Sequence, residues 1–207
     1  MSDRHPELTI ESQAQWRDWL AAHHEDAPGV WVTTNKKDSG RPYVPVEHIV
    51  DEALAHGWVD SRPRSVDDTR SQRLITPRRP TSAWSRVNKQ RVERLIATGR
   101  MTPAGLAAIE TAKRNGAWTA LDDVETLAEP GGLRAALDAD PAARRNWNEF
   151  PRSTKRAILE WVAAAKTAGT REKRIADTAS KASINIRANQ WRQPKGTQPP
   201  TDESSTK

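Results

Sequence analysis

The chain contains no cysteine, one phenylalanine, one tyrosine and two methionines. The missing thiols exclude disulfides, thiolate metal sites and a cysteine nucleophile, and they suit a reducing compartment. Long apolar runs are missing as well. No stretch approaches the ~18 consecutive apolar residues of a membrane helix. The opening stretch from Met1 to Ile10 is polar, so no secretory signal is expected and a cytoplasmic location follows. The strings GxSxG, GxGxxG, the P-loop and HExxH are all absent. No cofactor and no metal are therefore expected.

Hydrophobic residues make up only 35% of the chain, and the mean hydropathy is -0.84. A core built from so few apolar residues must lean on large side chains, and nine tryptophans meet that need. The 207 residues suffice for one ordinary domain or two small ones. The net charge of +6 permits anionic partners without choosing among nucleic acid, lipid and protein.

Periodicity predicts an α+β fold, with about three short strands packed by helices and then a helical lobe. Residues 1–11 read as a loose lead-in. Ser12 and Gln15 form a capping box, after which Trp16, Trp19, Leu20 and His23 share a helical face. Val30 to Asn35 reads as a strand, Val46 to Leu54 as a helix ended by Gly57, and Trp58–Ser61 and Gln72–Thr76 as further strands. Trp84, Val87, Arg91 and Leu95 line a third helix. Thr102-Pro103 starts a fourth, with Leu106, Ile109 and Ala112 facing inward. Residues 12–118 thus form an α+β lobe. Residues 119–132, acidic and then Pro-Gly-Gly, read as a linker. Helices follow over 133–188, one capped at Asp140-Pro141 and the last at Thr170. Residues 189–207 are rich in Gln, Pro, Thr and Ser and read as a disordered tail.

Positive charge concentrates in residues 61–100, which hold eleven basic side chains against three acidic ones, a local balance of +8. Arginine's planar fork suits phosphate and carboxylate. Arg73, Arg78, Arg79, Arg86 and Lys89 are therefore candidate anion or partner contacts. Ser82, Ser85 and Asn88 offer neutral donors, and Arg78-Arg79 stands ahead of a helix start, whose free donors add to the attraction. Trp84 is a candidate stacking platform for a base, or else part of the core. The plainer alternative is a solvated helix face with arginines paired to carboxylates. Asp60 is the one weak catalytic candidate, as a general base or as an ion-pair partner of Arg62 or Arg73. His48 and His56 lie two helical turns apart with Asp51 and Glu52 between them, without a metal-ligand spacing.

Gly57-Trp58-Val59-Asp60, the run from Arg73 through Thr76-Pro77-Arg78-Arg79-Pro80 to Trp84-Ser85-Arg86-Val87-Asn88, Gly99-Arg100-Met101 and Gly116-Ala117-Trp118 resemble the YdeI/OmpD-associated family, also called the bacteriocin-protection or OmdA family. Ala165-Lys166, Thr170-Arg171 and Lys173-Arg174-Ile175 are similar to its C-terminal signature. The resemblance spans about residues 10–180. The chain departs from the family at Leu74 and His56, where Phe is common, and at Ala120-Leu121, where an Ala-Tyr pair is usual. The resemblance implies a non-enzymatic binding protein that supports tolerance of bacteriocins, cationic antimicrobial peptides or envelope stress. It would act on a protein or peptide partner, and Arg171 joins the contact residues on that ground. A nucleic-acid binder using the basic segment, and an enzyme centred on Asp60, are the competing readings.

Overall fold

In the computed structural model, which describes residues 5–193, the chain divides into two compact units, Met1–Ala120 and Leu121–Lys207. The amino-terminal unit runs β1 (Glu7–Thr9), α1 (Gln13–His23), β2 (Val30–Asn35), α2 (Val46–Ala55), β3 (Trp58–Ser65), β4 (Arg70–Pro77), α3 (Arg86–Ala97) and α4 (Pro103–Arg114). Its four strands lie in the order β1-β2-β4-β3. β1 is parallel to β2, and the other pairs are antiparallel.

The expected count of three strands is therefore corrected to four, because part of the expected loose lead-in is β1. Glu7, Leu8 and Thr9 pair with Trp31, Val32 and Thr33, and Ile10 behind them is fully buried. The expected strands β3 and β4 also run longer than their apolar cores, because the hairpin between them is tied by Asp67. Its Oδ1 accepts from the backbone N–H groups of Thr69 and Arg70.

Two apolar clusters hold this unit. Trp16, Leu20, Val32, Ile49, Trp58 and Ile75 form one. Leu54, Trp84, Val92, Leu95, Ile109 and Ala112 form the other. The capping box at Ser12 is present with both reciprocal bonds, and Thr102 caps α4 ahead of Pro103. The inward faces of α3 and α4 differ from expectation. Val87 is 56% exposed and Leu106 43%. Trp84 precedes the cap Ser85, so it sets no helical phase for the residues after it.

One buried carboxylate anchors this unit. Glu52, 3% exposed, accepts hydrogen bonds from Gln13, Arg17 and Arg100 at 2.6, 2.8 and 2.5 Å. Burial pushes its carboxyl upward, and those three donors outweigh burial and hold it below its ordinary value. His56, one turn on, is pushed below its ordinary 6.5 chiefly by burial; the Glu52 carbonyl at 2.9 Å opposes the shift and neighbouring His24 adds to it. Both shifts act in one direction. A depressed folded-state value means that the unfolded chain takes up the proton first. His56 thus contributes stability above pH 6.5 that is lost as pH falls from there through its folded value. Glu52 contributes stability above 4.5 that is lost as pH falls through its own. We expect melting temperature to decline in these two stages on acidification. A His56→Phe variant should lack the upper stage in a melting series between about pH 8 and 4, and an unchanged profile would contradict the assignment.

The carboxyl-terminal unit is helical: α5 (Asp122–Glu125), α6 (Gly131–Asp138), α7 (Pro141–Glu149), α8 (Arg152–Ala163) and α9 (Ala168–Ser183). Leu133, Leu137, Trp147, Phe150, Ile158 and Val162 form its core. Asp140 caps α7 as expected, accepting from Ala142 and Ala143. The cap of α9 is Thr167 rather than Thr170, whose backbone N–H it receives at 3.1 Å. The segment 119–132 contains α5 and places Val124 in the core. Of the expected tail, Gln193 folds back onto the backbone of Arg187. Residues 194–207, and residues 1–4 of the lead-in, lie outside the described residues. No helix among the described residues is long and apolar enough to cross a membrane.

A candidate binding cleft at the edge of the sheet

Most of the basic segment's charge is met locally by carboxylates. Arg64 pairs with Glu7 at 2.9 Å, Arg70 with Asp67 at 2.7 Å and Arg73 with Asp60 at 2.9 Å. Arg91 and Arg94 share Asp51, and Arg100 reaches Glu52. The partners come mainly from β1, α2 and β3, distant in sequence from the arginines they neutralise. The +8 of residues 61–100 is thus a property of the sequence window rather than of a continuous cationic surface.

Arg78 and Trp84 form a packed pair. The guanidinium carbon of Arg78 lies 3.8 Å from the Trp84 ring centroid, and its Nη2 donates to the carbonyls of Ala83 and Ser82 at 2.6 and 3.4 Å. Its Nε and Nη1 are buried without a partner. Burial lowers its pKa to about 10, against the opposing charge of Asp60. Trp84 is 1% exposed and stands against Trp118, with ring centroids 5.1 Å apart. It cannot serve as a stacking platform for a base, which corrects that expectation. The pair fastens the connection between β4 and α3 to the core.

The remaining candidates are scattered. Arg78 and Arg79 follow β4 rather than abutting a helix, because α3 starts only at Arg86. Ser85 is its cap and accepts from the backbone N–H of Asn88 at 3.3 Å. Arg86 is exposed on the first turn. Lys89 Nζ sits 5.3 Å from the Trp118 ring. Arg171 belongs to the other unit. There it lines a cavity of about 520 Å3 with Lys166, Thr167 and the first residues of α6.

Arg79, by contrast, lines a cleft of about 520 Å3 at the β3 edge of the sheet, a volume suited to a small ligand. Val59, Leu74 and Pro77 supply its apolar surface, and Asp60, Arg62 and Arg79 its charge. A β-bulge builds one wall. Asp60 pairs with Ile75 and Pro63 with Arg73, so Ser61 and Arg62 together stand opposite Leu74. A bulge of this kind re-aims side chains that regular pairing would fix.

His5 closes another side of the cleft, with its Nδ1 buried and without a hydrogen bond among the described residues. It packs there because residue 29 is glycine. With φ at +146°, an added Cβ would stand 2.9 Å from Thr76 Cγ2 and 3.0 Å from His5 Nδ1. Asp60 is held at Oδ2 by Arg73. Arg79 has no carboxylate within ion-pair distance among the described residues and is exposed. The cleft thus presents a mostly polar wall of cations and one carboxylate, with Val59 and Pro77 as a smaller apolar part. Among the described residues no group of three or more His, Asp or Glu side chains could hold a metal ion.

Of the cleft residues, Asp60, Arg79 and the Ser82 hydroxyl were legible as candidates. His5 was not, since its neighbours Gly29 and Thr76 are remote in sequence and nothing in the lead-in marks it. The expected strand ends at Ser61, so the bulge at Ser61-Arg62 is not legible from it.

Residues 8–108 match a family described as Domain of unknown function (DUF8412). Residues 126–184 match a family described as Bacteriocin-protection, YdeI or OmpD-Associated. No curated protein and no solved structure matches the chain significantly. All the lining residues of the cleft except His5 therefore lie within the first of these matched segments, and α6 to α9 within the second. The segment 126–184, which builds α6 to α9, thus carries the match to the bacteriocin-protection, YdeI or OmpD-associated family.

Proposed function

We propose that the protein is a non-enzymatic, cytosolic binding protein that supports tolerance of bacteriocins, cationic antimicrobial peptides or envelope stress. It acts by engaging an anionic group of a partner in the cleft. The observation that carries this reading is Arg79, an exposed guanidinium on the wall of a ligand-sized cleft, with no carboxylate partner among the described residues. The family of the carboxyl-terminal domain supplies the link to bacteriocin protection.

The competing readings lose ground on the same residues. A nucleic-acid interface lacks its aromatic platform once Trp84 is buried, and six of its eleven cations are paired with carboxylates. A phosphate backbone needs several free cations in a row. A general base at Asp60 has a concave setting, but one oxygen of that carboxylate is held by Arg73.

Charge reversal at Arg79 tests the proposal without disturbing the core, whereas Arg78 is unsuitable because it is packed on Trp84. In a strain deprived of its own copy, the wild-type chain should restore growth at raised concentrations of a cationic antimicrobial peptide. Arg79→Glu should leave growth at the level of the empty strain, with an unchanged circular-dichroism melt. Full restoration by Arg79→Glu would remove the cleft from the function.

A further inference from the structure

We infer that the anionic group held by this cleft is a single free carboxylate on a small body, with a hydrogen-bond donor beside it. This rests on the reading of the cleft as the functional site. Charge decides the anion. Arg79 offers the fork that a carboxylate fits, and the bulge brings Arg62 to the same wall. Asp60 lines that wall too and stays close to the incoming group. Its negative charge disfavours a phosphate dianion about twice as strongly as a carboxylate. One of its oxygens accepts from Arg73, and no hydrogen bond among the described residues occupies the other. That oxygen is suited to accept from an N–H or O–H on the ligand.

The remaining wall fits the same ligand. Val59, Leu74 and Pro77 offer apolar contact of the kind that a short aliphatic side chain fills. A cavity of about 520 Å3 takes a group the size of one or two amino-acid residues. The same chemistry occurs in a free N-acylated or hydroxy acid and in the last residue of a peptide.

Isothermal titration calorimetry on the full chain separates these outcomes. The probes are N-acetyl-glycine, N-acetyl-alanine, N-acetyl-leucine and N-acetyl-phenylalanine, the corresponding amides, a hexapeptide ending in the best of the four residues, and inorganic phosphate. We expect saturable binding by at least one free acid. Affinity should fall at least about tenfold for its amide and for Arg79→Gln, the loss of one charged hydrogen-bond pair. Phosphate should not bind the wild type but should bind Asp60→Asn. A hexapeptide that binds more tightly than the single residue identifies a chain end as the ligand, and one that binds no better identifies a free acid.

Silence from all four acids up to about 10 mM, where only a contact weaker than ~3 kcal/mol would be missed, overturns the inference. So does equal binding by acid and amide. Tolerance lost in Arg79→Glu without acid binding would keep the proposed function and discard this ligand class. Acid binding with tolerance intact would do the reverse.

Discussion

Replacing Gly105 with alanine should destabilise the amino-terminal unit by about 3 kcal/mol or more, at the upper end of overpacking effects. Gly105 lies in the first turn of α4, where that helix crosses the end of α2. An added Cβ would stand 2.2 Å from the carbonyl oxygen of Ala55, 2.8 Å from its carbon and 2.6 Å from Met101 Cε. The methionine tip can move aside. The carbonyl cannot, because it accepts from both the backbone N–H and the hydroxyl of Thr102, at 3.1 and 2.7 Å. Alanine's better helix propensity recovers only about 1 kcal/mol. Urea denaturation should show the lowered midpoint, and hydrogen exchange should show faster opening across residues 49–55. A Gly105→Ala chain as stable as the parent would mean that α2 and α4 do not approach this closely.

Trp147 carries the corresponding weight in the carboxyl-terminal unit. It is 1% exposed among Leu133, Leu137 and Ile158, and its indole N–H donates to Glu129 Oε1 at 2.7 Å. Arg144 grips the same carboxylate with two bonds, at 2.9 and 3.0 Å. Burial pushes the Glu129 carboxyl upward, and the bonds from Arg144 and Trp147 outweigh it, holding it below the usual range. Trp147→Ala should cost about 3–5 kcal/mol, the ordinary loss for an aromatic core residue. Trp147→Phe keeps most of the packing and drops the hydrogen bond, at about 1–2 kcal/mol. Chemical denaturation of both variants separates the two contributions. Equal losses would show that the bond to Glu129 outweighs the packing, contrary to the geometry.

The fold was largely legible where local chemistry decides it. Ser12 with Gln15, Thr102 with Pro103 and Asp140 with Pro141 mark helix starts because each cap needs only residues within one turn. β1 was hidden because three residues carry too little periodicity to be read, and its pairing to β2 is a tertiary event. Val87 is placed inward by its spacing from Trp84, which lies outside α3 and sets no phase for it, whereas Leu106 shares a face with the buried Ile109 and Ala112 but stays exposed near the start of α4. The site was harder to read. Whether an arginine is a recognition group or a spent ion pair depends on which carboxylate folds next to it. The carboxylates of Glu7, Asp51 and Glu52 lie in elements whose placement periodicity alone does not give. The family resemblance, read over about residues 10–180, is matched by a family domain at 126–184, while most of the amino-terminal lobe falls in a separate match.

The bulge in β3 has one more consequence, for how copies of the chain treat one another. A bare sheet edge is a template on which a neighbouring molecule can add a strand, the first step toward fibrous aggregation. β3 is such an edge, and its residues 61–65 are exposed. Pro63 removes a backbone donor from it, and the bulge throws the spacing of the others out of register. These features make edge-to-edge polymerisation unfavourable, so the edge can stay open to a ligand without recruiting strands from other copies.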